Sequence, residues 1–222
     1  MTVLHLADEG EAADLAAFLS RLLHYDRGAA VRLQAAGTAL AVFGRPPSFE
    51  VLAIRAVRLA KPYENGLDVT LDVTVSAGEL LESVDEAGAT AVVPGAVTGP
   101  PWAGVLPPRG GWRPEPGLPA PDALRSLVAA AVAEFRARTQ ELPDERRTRA
   151  ELDRIGRDIW SRTVGDTRLP VRAVHAAQSL GFLRPGAPPA LFSSGAWLRL
   201  RTPYGSVAVR RAGLGALDVS VR

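Results

Sequence analysis

WLRLRTPYGSVAVRR, residues 197–211, reads as a β-hairpin. Its centre, Thr202-Pro203-Tyr204-Gly205, has proline where a fixed negative φ is wanted and glycine where a positive φ is needed. Strand alternation then puts Leu198 and Leu200 on the face shared with Val207 and Val209, and puts Trp197, Arg199, Arg201 and Arg210 on the other. One face is apolar and the other is cationic with an indole. Like charges at neighbouring strand positions repel, so such a face needs solvent, nearby acids or an anionic partner. Guanidinium groups beside an indole suit phosphate contact and base stacking.

Three helical segments precede the hairpin. The first, from about Asp122 to Arg138, would bury Leu124, Leu127, Val128, Ala131, Val132 and Phe135, and Pro143 stops it. A capping box at Thr148 and Glu151 opens the second, whose apolar stripe is Leu152, Ile155, Ile159 and Trp160. A shorter third helix starts at Pro170, buries Val171, Val174 and Leu180, and ends at Gly181. Three helices followed by a hairpin is the order of elements in a winged helix-turn-helix, and the resemblance is one of topology. It implies that helix 170–181 shows Arg172, His175, Gln178 and Ser179 to DNA while Arg199, Arg201 and Arg210 form the wing.

Working back toward the N-terminus, Leu15, Phe18, Leu19, Leu22 and Leu23 lie on one face of a helix over Glu11–Tyr25. Strands are expected over 30–35, 38–43 and 49–59, separated by Ala36-Gly37 and by Gly44-Arg45-Pro46-Pro47. Residues 67–75 alternate Leu67, Val69, Leu71, Val73 and Val75 against Asp68, Thr70, Asp72 and Thr74, the period of a half-buried strand. Ser76 and Glu79 form another capping box. Nine of the eighteen prolines fall between Pro94 and Pro121, together with Trp102, Val105, Leu106, Trp112 and Leu118. A flexible linker is poor in large apolar groups, so this stretch is expected to lie ordered on a surface.

The fold class expected is therefore α+β. An N-terminal helix packs on an antiparallel meander (1–93), a Pro/Gly-rich ordered linker follows (94–121), and a three-helix unit ends in the hairpin (122–222).

Composition bounds the chemistry. The 222 residues include no cysteine, which removes disulfides, thiolate metal sites and cysteine nucleophiles and suits a reducing compartment. Acidic residues near Met1, where a signal peptide is basic, and apolar runs far too short to span a bilayer, point to a cytoplasmic chain with no membrane partner. Charge is unevenly placed: 9 basic and 14 acidic side chains in 1–120, 9 of each in 121–167, then eight arginines against Asp218 alone. With one lysine among 26 basic residues, G+C-rich coding supplies part of the arginine count, so placement says more than number.

His5, His24 and His175 stand apart, without metal-ligand spacing, and no GxSxG, Walker or GxGxxG motif is present. No catalytic residue, metal ligand or cofactor is assigned. The first expectation is a non-enzymatic interaction or regulatory protein whose basic C-terminal face, Trp197, Arg199, Arg201 and Arg210 with Arg172, His175 and Gln178, binds an acidic partner, nucleic acid foremost. The alternatives are a scaffold or homo-oligomer that touches no nucleic acid, and, third, a metal-assisted enzyme using Asp68 and Asp72. Against all of these stands an ordinary hairpin whose arginines pair with the acidic N-terminal half.

Overall fold

The computed structural model describes residues 2–60, 71–186 and 188–211. Strand β1 (Val3–His5) leads into helix α1 (Glu9–Tyr25), whose N-cap Asp8 accepts a hydrogen bond from the Glu11 amide at 2.9 Å. Leu15, Phe18, Leu19 and Leu22 are buried along one face, the stripe that the spacing predicts. Strands β2 (Ala30–Ala36), β3 (Ala39–Gly44), β4 (Leu52–Arg58) and β5 (Asp72–Ser76) follow, paired antiparallel in the order β5-β2-β3-β4. Positions 67–70 of the expected alternating strand lie outside the described residues. Helix α2 (Ala77–Glu82) is capped by Ser76, and β6 (Thr90–Val92) pairs with β1 in a separate two-stranded sheet.

The C-terminal half supplies a three-residue strand β7 (Arg113–Glu115), then α3 (Pro121–Gln140), α4 (Arg149–Trp160) and α5 (Val171–Ser179). Thr148 accepts from the Glu151 amide at 3.3 Å, so the second capping box is made. Strands β8 (Ala190–Ser194), β9 (Trp197–Thr202) and β10 (Gly205–Arg210) complete the chain, and the β9–β10 register sets Leu200 opposite Val207 and Leu198 opposite Val209.

The hairpin does not project. β10 pairs antiparallel with β4, through Ser206 with Ile54, Val207 with Ala53 and Ala208 with Leu52, while β9 pairs with β8 and β8 with β7. One eight-stranded sheet results, in the order β5-β2-β3-β4-β10-β9-β8-β7. This departs from a winged helix, in which the hairpin stands clear of a small helical unit. The reason is visible in β4 and β10: both are apolar on both faces, Leu52, Ala53 and Ile54 in one and Val207, Ala208 and Val209 in the other. Such strands are stable only inside a sheet, where their edge amides and carbonyls are also satisfied.

The α-helices share one face of the sheet. Leu33, Val42, Ala53, Val57, Leu198, Leu200, Val207 and Val209 form a single buried core with Phe18 and Leu19 of α1, Leu124 and Val128 of α3, and Val174 of α5. Each fully buried leucine or valine contributes about 1.5–3 kcal/mol relative to exposure, so the two halves stabilise each other through this layer. The opposite face carries a smaller cluster, Phe43, Leu52, Ile54 and Ala208, covered by Trp102, Leu106 and Trp197. Here the proline-rich segment crosses: Val97 bonds to Thr74 of edge strand β5 at 2.9 Å, a 3-10 turn spans Pro101–Gly104, and the chain joins the far edge as β7.

Candidate binding face of the sheet

The outer face is assembled by register. Arg201 lies opposite Ser206, Arg199 opposite Ala208 and Trp197 opposite Arg210, and β10 carries the same face on to Leu52 and Ile54 of β4. Phe43 of β3 and Arg32 of β2 continue it. Arg201 and Arg210 are exposed, while Trp197 and Arg199 are half-buried.

Two fixings hold the proline-rich segment over this face. The Arg32 guanidinium donates to the Ala103 carbonyl and grips Asp72 with Nε (2.8 Å) and Nη2 (3.0 Å); Gln34 adds a bond to the same carboxylate at 3.1 Å. The hydrogen bond from Arg32 holds Asp72 below its ordinary pKa, with smaller contributions from Gln34 and from the charge of Arg109. Asp72, a candidate ligand for a hard cation in sequence, is engaged here by a cation of the protein; Asp68 lies outside the described residues. At the other end Trp112 Nε1 donates to the Pro108 carbonyl at 3.0 Å, and Ser194 Oγ to the Gly110 carbonyl at 3.2 Å.

Between these fixings sits Arg199. Its Nε donates to Ser206 Oγ at 2.9 Å and its guanidinium lies 5.6 Å from the Trp112 ring centroid. Loss of solvation lowers its pKa, and the neighbouring charge of Arg201 lowers it further. Among the described residues, Arg199, Arg201 and Arg210 have no carboxylate within ion-pair distance. The C-terminal arginines that do meet the acidic N-terminal half are others: Arg184 bonds Asp14 at 2.9 Å, and Arg172 lies 3.8 Å from Glu50.

The segment leaves a hollow on either side of itself. One, of about 250 Å³, lies between Phe43 and Ile54 below, Pro108 and Arg109 above, and Arg199. The other, of about 350 Å³, is bordered by Trp102, Trp197, Val105, Arg45 and Arg210, with one carboxylate, Glu50, also on its rim. Arg45, Trp102, Arg109 and Trp112 are not singled out as site residues by sequence. Only the large apolar groups among the prolines hint at them, and nothing local pairs them with the hairpin.

Arg172, His175 and Gln178 are not brought to this face, because α5 packs on β9 and β10 from the helical side. Arg172 buries an Nε that makes no hydrogen bond, and Gln178 is exposed. His175 stacks on Trp160 (4.7 Å between centroids) and meets Phe49 edge-on at 5.0 Å, within a ladder that continues to Phe135 and Tyr25. Burial depresses its pKa below the ordinary value near 6.5. A histidine with a depressed folded pKa stabilises the fold above its unfolded pKa, and that contribution is lost as pH falls through the folded value. The wild type should therefore lose more thermal stability between pH 7.5 and pH 5 than His175→Phe, which keeps the stack. Equal losses in a melting-temperature series would remove His175 as the cause. The carboxylates of Asp72, Glu134, Glu151 and Asp158, held low by arginines, titrate below that window.

Among the described residues no group of three or more His, Asp or Glu is placed to hold a metal ion, and no helix is long and apolar enough to cross a membrane. An α+β chain with one helical layer and an extended sheet is the class this architecture defines. Residues 1–104 are similar to a family described as a domain of unknown function, DUF8010, and residues 107–214 to a second, DUF8185. No curated protein matches the chain. The two matched stretches meet inside the proline-rich segment, between the 3-10 turn and Pro107.

Proposed function

We propose that this is a non-enzymatic interaction protein that holds an acidic partner, nucleic acid foremost, on the outer face of its sheet. The observation that carries this reading is the set of three hairpin arginines on one face without an acidic partner among the described residues, while Arg184 is paired and Arg172 lies near Glu50. Keeping Arg199 half-buried and charged has a solvation cost that an incoming anion offsets. Trp197, Trp102, Arg45 and Arg210 around the second hollow supply stacking surface and charge together, the combination used for unstacked bases.

Fluorescence anisotropy with labelled single-stranded and duplex DNA across a salt series tests this. Affinity should fall steeply with salt, with a slope on logarithmic axes of roughly −2 if three arginines contact single-strand phosphates. No binding at low salt would sink the nucleic-acid reading. A protein scaffold using the same face is favoured by Val105, which is 49% exposed beside Trp102 and Arg210. In that case light scattering should show an oligomer or partner complex that Trp197→Ala loses. An unchanged mass would count against it.

A further inference from the structure

We propose that the hollow between Phe43, Ile54, Pro108 and Arg199 is a separate binding site for a small amphipathic carboxylate, such as a medium-chain fatty acid. The inference rests on the reading above in one respect, that Arg199 is an anion contact.

Three observations support it. The floor is apolar: Phe43 and Ile54 are buried side chains of the sheet, flanked by Ala41 and Ala56, and Pro107 and Pro108 line the hollow from the proline-rich segment. No aspartate or glutamate lines the hollow, whereas Arg199 and Arg109 both do. Arg199 is held in place by Ser206 and Trp112 through Nε and the guanidinium face, so Nη1 and Nη2, which make no hydrogen bond among the described residues, are the atoms left for a ligand. A planar guanidinium with two such nitrogens is matched in shape by a carboxylate.

Charge and size narrow the class. Asp72 is taken by Arg32, so Arg199 and Arg109 face the hollow with no carboxylate among its lining residues, and the ligand it favours is an anion. Strands lie about 4.8 Å apart, which puts β9, bearing Arg199, roughly 14 Å from β3, bearing Phe43. An extended chain of medium length fits that run. A volume of about 250 Å³ falls just below the usual range for ligand sites, which begins at about 300 Å³, and is too little for a nucleotide with its base and phosphates.

The test is calorimetric titration of the full chain with sodium octanoate, with octanamide as the uncharged control. Octanoate should saturate one site and octanamide should bind at least about tenfold more weakly, the worth of a charge-assisted hydrogen bond. Arg199→Gln should bring octanoate down to the octanamide level. Ala41→Leu, at a half-exposed floor position that leaves every arginine in place, should weaken both ligands and serves if the first variant folds poorly. Arg201→Gln with Arg210→Gln should leave octanoate binding intact. Octanoate and octanamide binding alike, or neither binding, would overturn the proposal whatever DNA does. Octanoate bound by a chain that ignores DNA would support the hollow and overturn the nucleic-acid reading alone.

Discussion

Arg55→Met is expected to cost the fold about 3–5 kcal/mol, read as a lower urea midpoint with unchanged slope. Arg55 belongs to β4 and is 4% exposed, pointing into the helical layer. Its Nη1 donates to the Tyr204 carbonyl at 2.8 Å, in the β9–β10 turn; its Nη2 reaches Glu11 at 2.9 Å and Asp14 at 3.2 Å, both on α1. Arg184 binds the other oxygen of Asp14 and lies 4.1 Å over the Tyr204 ring, and Arg58 takes the second oxygen of Glu11. Opposite charges from the two halves of the chain thus meet in a confined network. Removing Arg55 takes from Glu11, with a side chain only 11% exposed, one of its two cations, leaving Arg58, and leaves Tyr204 short of a donor. The double variant with Glu11→Leu should recover part of the loss, because an apolar pair costs less than a buried carboxylate left with only the exposed Arg58 as its cation. A loss under about 1 kcal/mol for Arg55→Met would place this network among surface-type pairs.

Gly205→Ala should destabilise by about 2–4 kcal/mol, combining overpacking with backbone strain. Gly205 opens β10 at φ +154°, and a Cβ there would sit 2.4 Å from Phe182 Cε1 and 2.5 Å from Cζ. Phe182 is 2% exposed and stacked on Phe18 at 5.8 Å, so the ring has no free direction in which to withdraw. Trimming the obstacle with Phe182→Leu in the Gly205→Ala background should return part of the stability. If the single variant melts as the wild type does, the close approach of ring and turn is not what fixes glycine at this position.

How much of this was legible in sequence depends on the range of the forces involved. Local determinants read well: the apolar stripe of α1, the caps at Ser76 and Thr148, and the hairpin alternation with its Pro203–Gly205 turn all act within a few residues. Pairing of β4 with β10 is different, since it joins segments far apart in the chain and no local pattern names the partner. A signal was present in the two-faced apolar runs 51–54 and 207–209, which mark interior strands rather than a solvent-facing wing. Strand β8 is short and bounded by Pro188-Pro189 and Gly195, so its alternation is too brief to register, and Pro114 hides β7 within the linker composition. His175 shows the converse error. Helical spacing set it beside Arg172 and Gln178 on an open stripe, but Phe49, from a distant turn, covers it. The proline-rich segment is a related case: its tryptophans announce contact with a surface, and only the folded sheet identifies that surface as the one bearing the hairpin arginines.

If the outward hairpin arginines hold an anion, as proposed, anisotropy of a labelled single-stranded oligonucleotide at low salt will show it. Wild type is compared with Arg201→Gln/Arg210→Gln, both positions being exposed and free of structural partners among the described residues. The variant should keep the wild-type melting temperature, bind at least roughly tenfold more weakly and show a shallower salt dependence. Equal affinity for wild type and variant, or no binding by either, would contradict the account.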